Sequence, residues 1–172
     1  MNTVTSRTTL QALTLAAVLA ATAGPVLAHE AAPAPATKPA PIPPAALAQL
    51  EEVRHAAARF FDPKAAEAAG YVDIGLDLPN MGLHYLNFDL INDGVFDPLQ
   101  PEALVYQVDT STNTFKLVAV EYVSPLTERP PQGFIGPADR WGKFGNIFWT
   151  LHAWVYEYNP AGVFAPNNPR MP

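Results

Sequence analysis

Three apolar runs in this chain each carry one ionisable residue in their interior: His84 in MGLHYLNFD (81–89), Glu121 in FKLVAVEYV (115–123) and His152 in IFWTLHAWVYE (147–157). Their β-branched and aromatic content predicts strands. A carboxylate or imidazole inside a core costs free energy unless something pairs with it. Three such residues in three strands therefore call for a sheet that brings them to one another, to a metal or to a ligand.

Strand alternation puts His84 on one side with Leu86 and Phe88, and Tyr85 on the other with Leu83 and Asn87. By the same rule Glu121 shares its side with Phe115, Leu117, Ala119 and Val123, and His152 shares its side with Phe148, Trp154 and Tyr156. Ala103 to Asp109 and Phe115 to Val123 read as a hairpin across a polar turn. Gly75, Pro79 and Gly82 predict bends before the first strand rather than a regular ladder. Asp89 and Glu102 read as turn and edge residues.

Ahead of the strands, Ala45 to Phe60 reads as a helix with Leu47, Leu50, Val53, Ala57 and Phe60 or Phe61 on one stripe. Glu51, His55 and Arg59 lie opposite, which makes His55 a solvated residue. A second short helix is punctuated by Asp62 as N-cap, Pro63 at its first position and Gly70 past its end. Between the later strands, residues 124–146 hold four Pro and four Gly in 23 positions, which argues against a regular strand. Phe134, Trp141 and Phe144 give that segment apolar anchors, so it reads as an ordered flap. The fold expected is α+β: two N-terminal helices packed on a mainly antiparallel, curved sheet of four to six strands, open or partly closed into a barrel.

The N-terminal region reads differently. Arg7, the apolar run 10–24 and Val26-Leu27-Ala28 have the form of a signal peptide over 1–28, placing the mature protein in the periplasm or outside the cell with no stable membrane insertion. Residues 29–44 form an Ala/Pro-rich linker, and 45–172 a single domain. Cleavage removes one cation and no acid, leaving a formal charge of about −7, which argues against nucleic acid as a partner. A mature chain starting at His29 would offer copper a terminal amine and an imidazole together. Cysteine is absent, so thiol nucleophiles and disulfides are excluded. No Ser stands in a G-x-S-x-G elbow.

The blocks MGLHYLN, DGVFDPLQPEALVY, LVAVEYV and LHAWVYEYNPAGVFAPNNP together resemble a family of secreted bacterial proteins that has no established activity. The likeness spans about Phe60 to Pro169 and matches His84, Glu121 and His152 to its MGxHY, VEY and LHxWV blocks. Cys positions found in that family near the first strand and the C-terminus are not Cys here.

Two imidazoles and a carboxylate suit a divalent transition metal, zinc or copper, with a coordination position left open. Tyr85, Tyr122 and Trp154 are the expected aromatic walls of a small-molecule pocket beside it. Two alternatives stay open. One is a structural or homo-oligomeric envelope protein in which His84, Glu121 and His152 form a buried network; the other is a metal-dependent hydrolase or isomerase.

Overall fold

A computed structural model describes residues 41–172. The signal-peptide reading, most of the linker and His29 lie outside the described residues. Helix α1 (Pro44–Ala57) buries Ala46, Leu50, Val53 and Ala57, the stripe expected of a helix lying on a sheet. It tightens into a 3₁₀ turn (Ala58–Phe60) that buries Phe60, whereas Leu47 and Phe61 stay exposed. Helix α2 (Pro63–Ala68) begins as predicted, with Asp62 accepting from the Lys64 N–H at 3.0 Å and Pro63 at its first position.

Six strands follow: β1 (Val72–Leu78), β2 (Gly82–Leu86), β3 (Ala103–Asp109), β4 (Thr114–Pro125), β5 (Gly142–Phe144) and β6 (Phe148–Ala153). They form one antiparallel sheet in the order β1-β2-β3-β4-β6-β5, curled into a half-barrel, so the α+β expectation holds.

Several boundaries differ from the sequence reading. β2 stops at Leu86, because the Asn87 side chain accepts from the Asp89 and Leu90 N–H groups and caps a short helix, α3 (Phe88–Asp93). Val72–Leu78 does pair as a strand, and its bend is confined to a register shift between Asp73 and Leu76, where Gly75 takes φ 67°. The flap contributes the three-residue edge strand β5, which pairs with β6. β6 ends at Ala153, after which the Trp154 N–H turns to the Val163 carbonyl.

A β-bulge changes the phase of β4. Val105 faces Ala119 but Tyr106 faces Leu117, which leaves Val118 without a cross-strand partner on β3. The Val118 carbonyl instead accepts the N–H groups of Tyr156 and Glu157. In consequence Phe115 and Leu117 pack with Tyr106 on the helix side, not beside Glu121 as alternation had placed them. Tyr156 also goes to the helix side, edge-on to Phe61 at 4.9 Å.

The helix-side core joins Leu50, Val53 and Phe60 to Tyr85, Leu104, Tyr106, Val120, Tyr122 and Leu151 of the sheet, with Phe134 of the flap and Phe164 of the tail. Each fully buried Val, Leu or Phe there contributes roughly 1.5–3 kcal/mol of transfer free energy. The buried phenols satisfy their polar ends on backbone: Tyr71 donates to Pro101 O at 2.6 Å, Tyr106 to Phe60 O at 2.7 Å and Tyr122 to Pro98 O at 2.8 Å. The tail is tied down rather than merely extended. Asn168 N–H donates to Asn80 O, Asn80 N–H donates to Pro172 O, and the Trp154 indole donates to Ala165 O at 2.7 Å. Among the described residues no helix is long and apolar enough to cross a membrane.

Candidate functional site

The face of the sheet away from the helices carries the three ionisable residues, and the register explains how they meet. Glu121 and His152 are direct cross-strand partners on β4 and β6. Directly opposed residues stand on the same side of a sheet, with Cβ atoms about 4.5–5.5 Å apart. The His152 Nδ1 accordingly lies 3.5 Å from Glu121 Oε1.

His84 reaches the same carboxylate from farther away. It stands on β2 opposite Val105, while Glu121 stands on β4 opposite Ala103, so β3 runs between them. Strands two apart are separated by about 10 Å. The curl of the sheet and the short side chain of Ala103 let the two side chains close over β3, and His84 Nε2 comes within 3.5 Å of Glu121 Oε2. One donor atom from each of His84, Glu121 and His152 lies within 4.8 Å of the others, and all three residues are buried.

Two contacts orient the rings. His84 Nδ1 lies 3.2 Å from the Leu76 carbonyl oxygen, and because a carbonyl only accepts, the ring nitrogen there donates. In the neutral imidazole this leaves the Nε2 lone pair facing Glu121. His152 stacks on Trp154 at 5.7 Å with the planes 11° apart, and meets the His84 ring edge-on at 5.9 Å. Burial pushes the Glu121 carboxyl up to about 8, while the Thr150 hydroxyl works in the opposite direction.

The centre opens on a cavity of about 330 Å³. Its floor is polar and buried, formed by His84, Glu121 and Thr150. The walls are apolar and come from both ends of the sheet, with Ile74, Leu76 and Leu78 from β1, Phe144 from β5 and Phe148 from β6. Residues of both edge strands line one cavity because the sheet curls around it.

The structure corrects the expected pocket walls. Tyr85 and Tyr122 do not line this cavity; they lie on the opposite face, in the helix-side core. The physical reason is the pleat, which sends neighbours such as His84 and Tyr85, or Glu121 and Tyr122, to opposite sides. Trp154 is on the correct side but serves as the stacking support of His152 among Val105, Val118, Ala119 and Met171. The aromatic part of the lining consists instead of Phe88, Phe144 and Phe148 beside aliphatic residues.

Sequence reasoning missed Thr150, the Leu76 carbonyl and Ala103. Thr150 was within reach of the period-two rule, since it falls two residues before His152. Glu102, expected at an edge, is buried and accepts the Val123 N–H at 3.1 Å, and desolvation raises its carboxyl to about 8. His55 is exposed and lies 3.3 Å from Glu51, as a solvated helix residue should.

Comparison of the chain with family models, with curated proteins and with solved structures gives no match in any of the three.

Proposed function

We propose that this protein binds a divalent transition metal, held by His84, Glu121 and His152 at the floor of the half-barrel, and that it acts in the periplasm or outside the cell after removal of residues 1–28. The observation that carries the reading is the Leu76 carbonyl on His84. Where His84 is neutral, its Nε2 lone pair is directed at an oxygen of Glu121 3.5 Å away, a contact that a cation between the two atoms would relieve. A metal ion is one such cation. The donor set of two nitrogens and one carboxylate oxygen suits zinc or copper, and His84 has the backbone partner that metal-ligating imidazoles typically carry. A Lewis acid at that point would polarise whatever polar group enters from the cavity.

A proton is the competing cation. A Glu121 carboxyl raised to about 8 by burial binds a proton at neutral pH, which would make the three residues a structural hydrogen-bond network. Metal content by mass spectrometry decides between the two, using protein purified without a tag and after zinc or copper titration. Near-stoichiometric metal, abolished in both His84→Ala and His152→Ala while circular dichroism stays native, supports the centre. No metal and no uptake on titration would establish the protonated network in its place.

A further inference from the structure

We infer that the cavity takes a small amphiphile with one anionic head group, a medium-chain carboxylate being the simplest, with its head at the metal centre and its tail along the apolar wall. The inference rests on the metal reading above.

Charge selects the head. A divalent ion held by two neutral imidazoles and one carboxylate keeps a net positive charge, and among the described residues Glu121 is the only acidic one lining the cavity. Beside an apolar wall an uncompensated charge is costly, so a monoanion is favoured over a neutral molecule or an ammonium. Thr150, buried on the same floor, can turn its one hydroxyl proton from Glu121 to a second head-group oxygen once a metal holds that carboxylate.

Polarity along the cavity selects the orientation. The floor residues His84, Glu121 and Thr150 are 3–5 % exposed, as are the apolar Met81 and Val123 beside them, whereas Ile74, Leu76, Leu78 and Phe148 on the walls are only partly buried. The polar end is therefore the deep end, and an entering molecule places its head inward and its chain toward the rim.

Volume bounds the chain length. About 330 Å³ corresponds to roughly ten water-sized volumes at ~30 Å³ each, which suits a chain of about six to ten carbons. Entry is provided by the topology: β1 and β5 stand at the two ends of the strand order, so no hydrogen-bonded ladder joins them across the cavity.

The test is calorimetric titration of the zinc-loaded full chain with octanoate, acetate and octylamine, repeated after chelation and on Ile74→Trp and Leu78→Trp. Each buried methylene contributes a factor of about four, so octanoate is expected to bind at least about 100-fold more tightly than acetate. It should also exceed octylamine by a similar margin, and lose binding when zinc is removed. Both Trp variants, placed on an edge strand away from the metal ligands, should keep stoichiometric zinc and weaken octanoate at least tenfold. Zinc bound with octanoate no tighter than acetate overturns the ligand inference and leaves the metal centre standing. Octanoate binding that ignores zinc, or is matched by octylamine, overturns the anionic-head assignment. Failure to bind either zinc or copper overturns both readings together.

Discussion

The His84 ring donates through Nδ1 to the carbonyl oxygen of Leu76, its own partner across the β1–β2 ladder, at 3.2 Å. A carbonyl on an edge strand thereby fixes which nitrogen of a buried histidine faces the carboxylate two strands away. That carbonyl follows directly on the register shift at Gly75.

Gly75→Ala tests this dependence. An added Cβ meets nothing within 4 Å, so the cost is backbone conformation at φ 67° alone, about 1–2 kcal/mol. The melting temperature is expected to fall by roughly 2–8 °C, and zinc affinity by about tenfold or more as the Leu76 carbonyl shifts. Unchanged zinc affinity in a measurably destabilised variant would show that the carbonyl does not orient the ring.

Ala103 makes room for the His84–Glu121 approach across β3. Ala103→Val adds two methyl carbons at a fully buried site and should cost about 1–3 kcal/mol by overpacking. Zinc affinity should fall at least tenfold because the two ligands are pushed apart. Ala103→Gly, which opens space, should lose some stability but retain zinc. Equal metal binding by both variants, measured by titration, would refute the role assigned to Ala103.

The metal-free protein should lose stability as pH rises. Glu121 and Glu102 both have folded-state values raised from 4.5 to about 8 by desolvation. The folded state therefore binds protons that the unfolded chain has released. Their contribution is complete below about pH 4.5 and disappears as pH rises through about 8, a change of a few kcal/mol. Urea midpoints should fall between pH 5 and pH 9, and Glu121→Gln should flatten the profile. Saturating zinc should oppose the trend, because the ion binds the carboxylate form. A Glu121→Gln/Glu102→Gln double variant with the slope of the parent would exclude both carboxyls as its source.

Tyr122→Phe separates core from pocket. Its hydroxyl donates to Pro98 O at 2.8 Å on the helix side. The substitution is expected to cost about 1–2 kcal/mol in chemical denaturation, by loss of that bond and the stranding of its acceptor, with no change in zinc stoichiometry or affinity. A change in metal binding would return Tyr122 to the site.

The three residues of the candidate site were legible because each was chemically anomalous in its surroundings. His84, Glu121 and His152 stood out as polar groups in runs that otherwise bury, and local pattern is what a sequence displays most directly. The two N-terminal helices were legible from equally local signals, the first from its stripe and the second from its capping residues. Asn87 was misplaced because a strand composition continued through it, although an Asn followed by Asp89 in the first turn is an N-cap signal. Tyr85 and Tyr122 were assigned to the pocket against the alternation that places each beyond the sheet from its neighbour. The approach of Phe144 and Phe148 to Ile74 was not legible at all, since it depends on how far the sheet curls. The bulge at Val118 was equally hidden, because it exists only as a mismatch with β3.

The unpaired Val118 also makes the inside and outside of this hairpin arm a matter of parity. If Val118 were drawn into the ladder as an ordinary paired residue while β4 kept its register with β6, strict alternation would return. Phe115 and Leu117 would swing from Tyr106 to the Glu121 side, exchanging helix-packing contacts for bulk near the candidate metal ligands. A lineage can try many letters on this arm by point substitution and keep the same two faces. Loss of Val118 outright would keep them too, since Leu117 already stands opposite Tyr106, so what the arm must preserve is its phase and not its count.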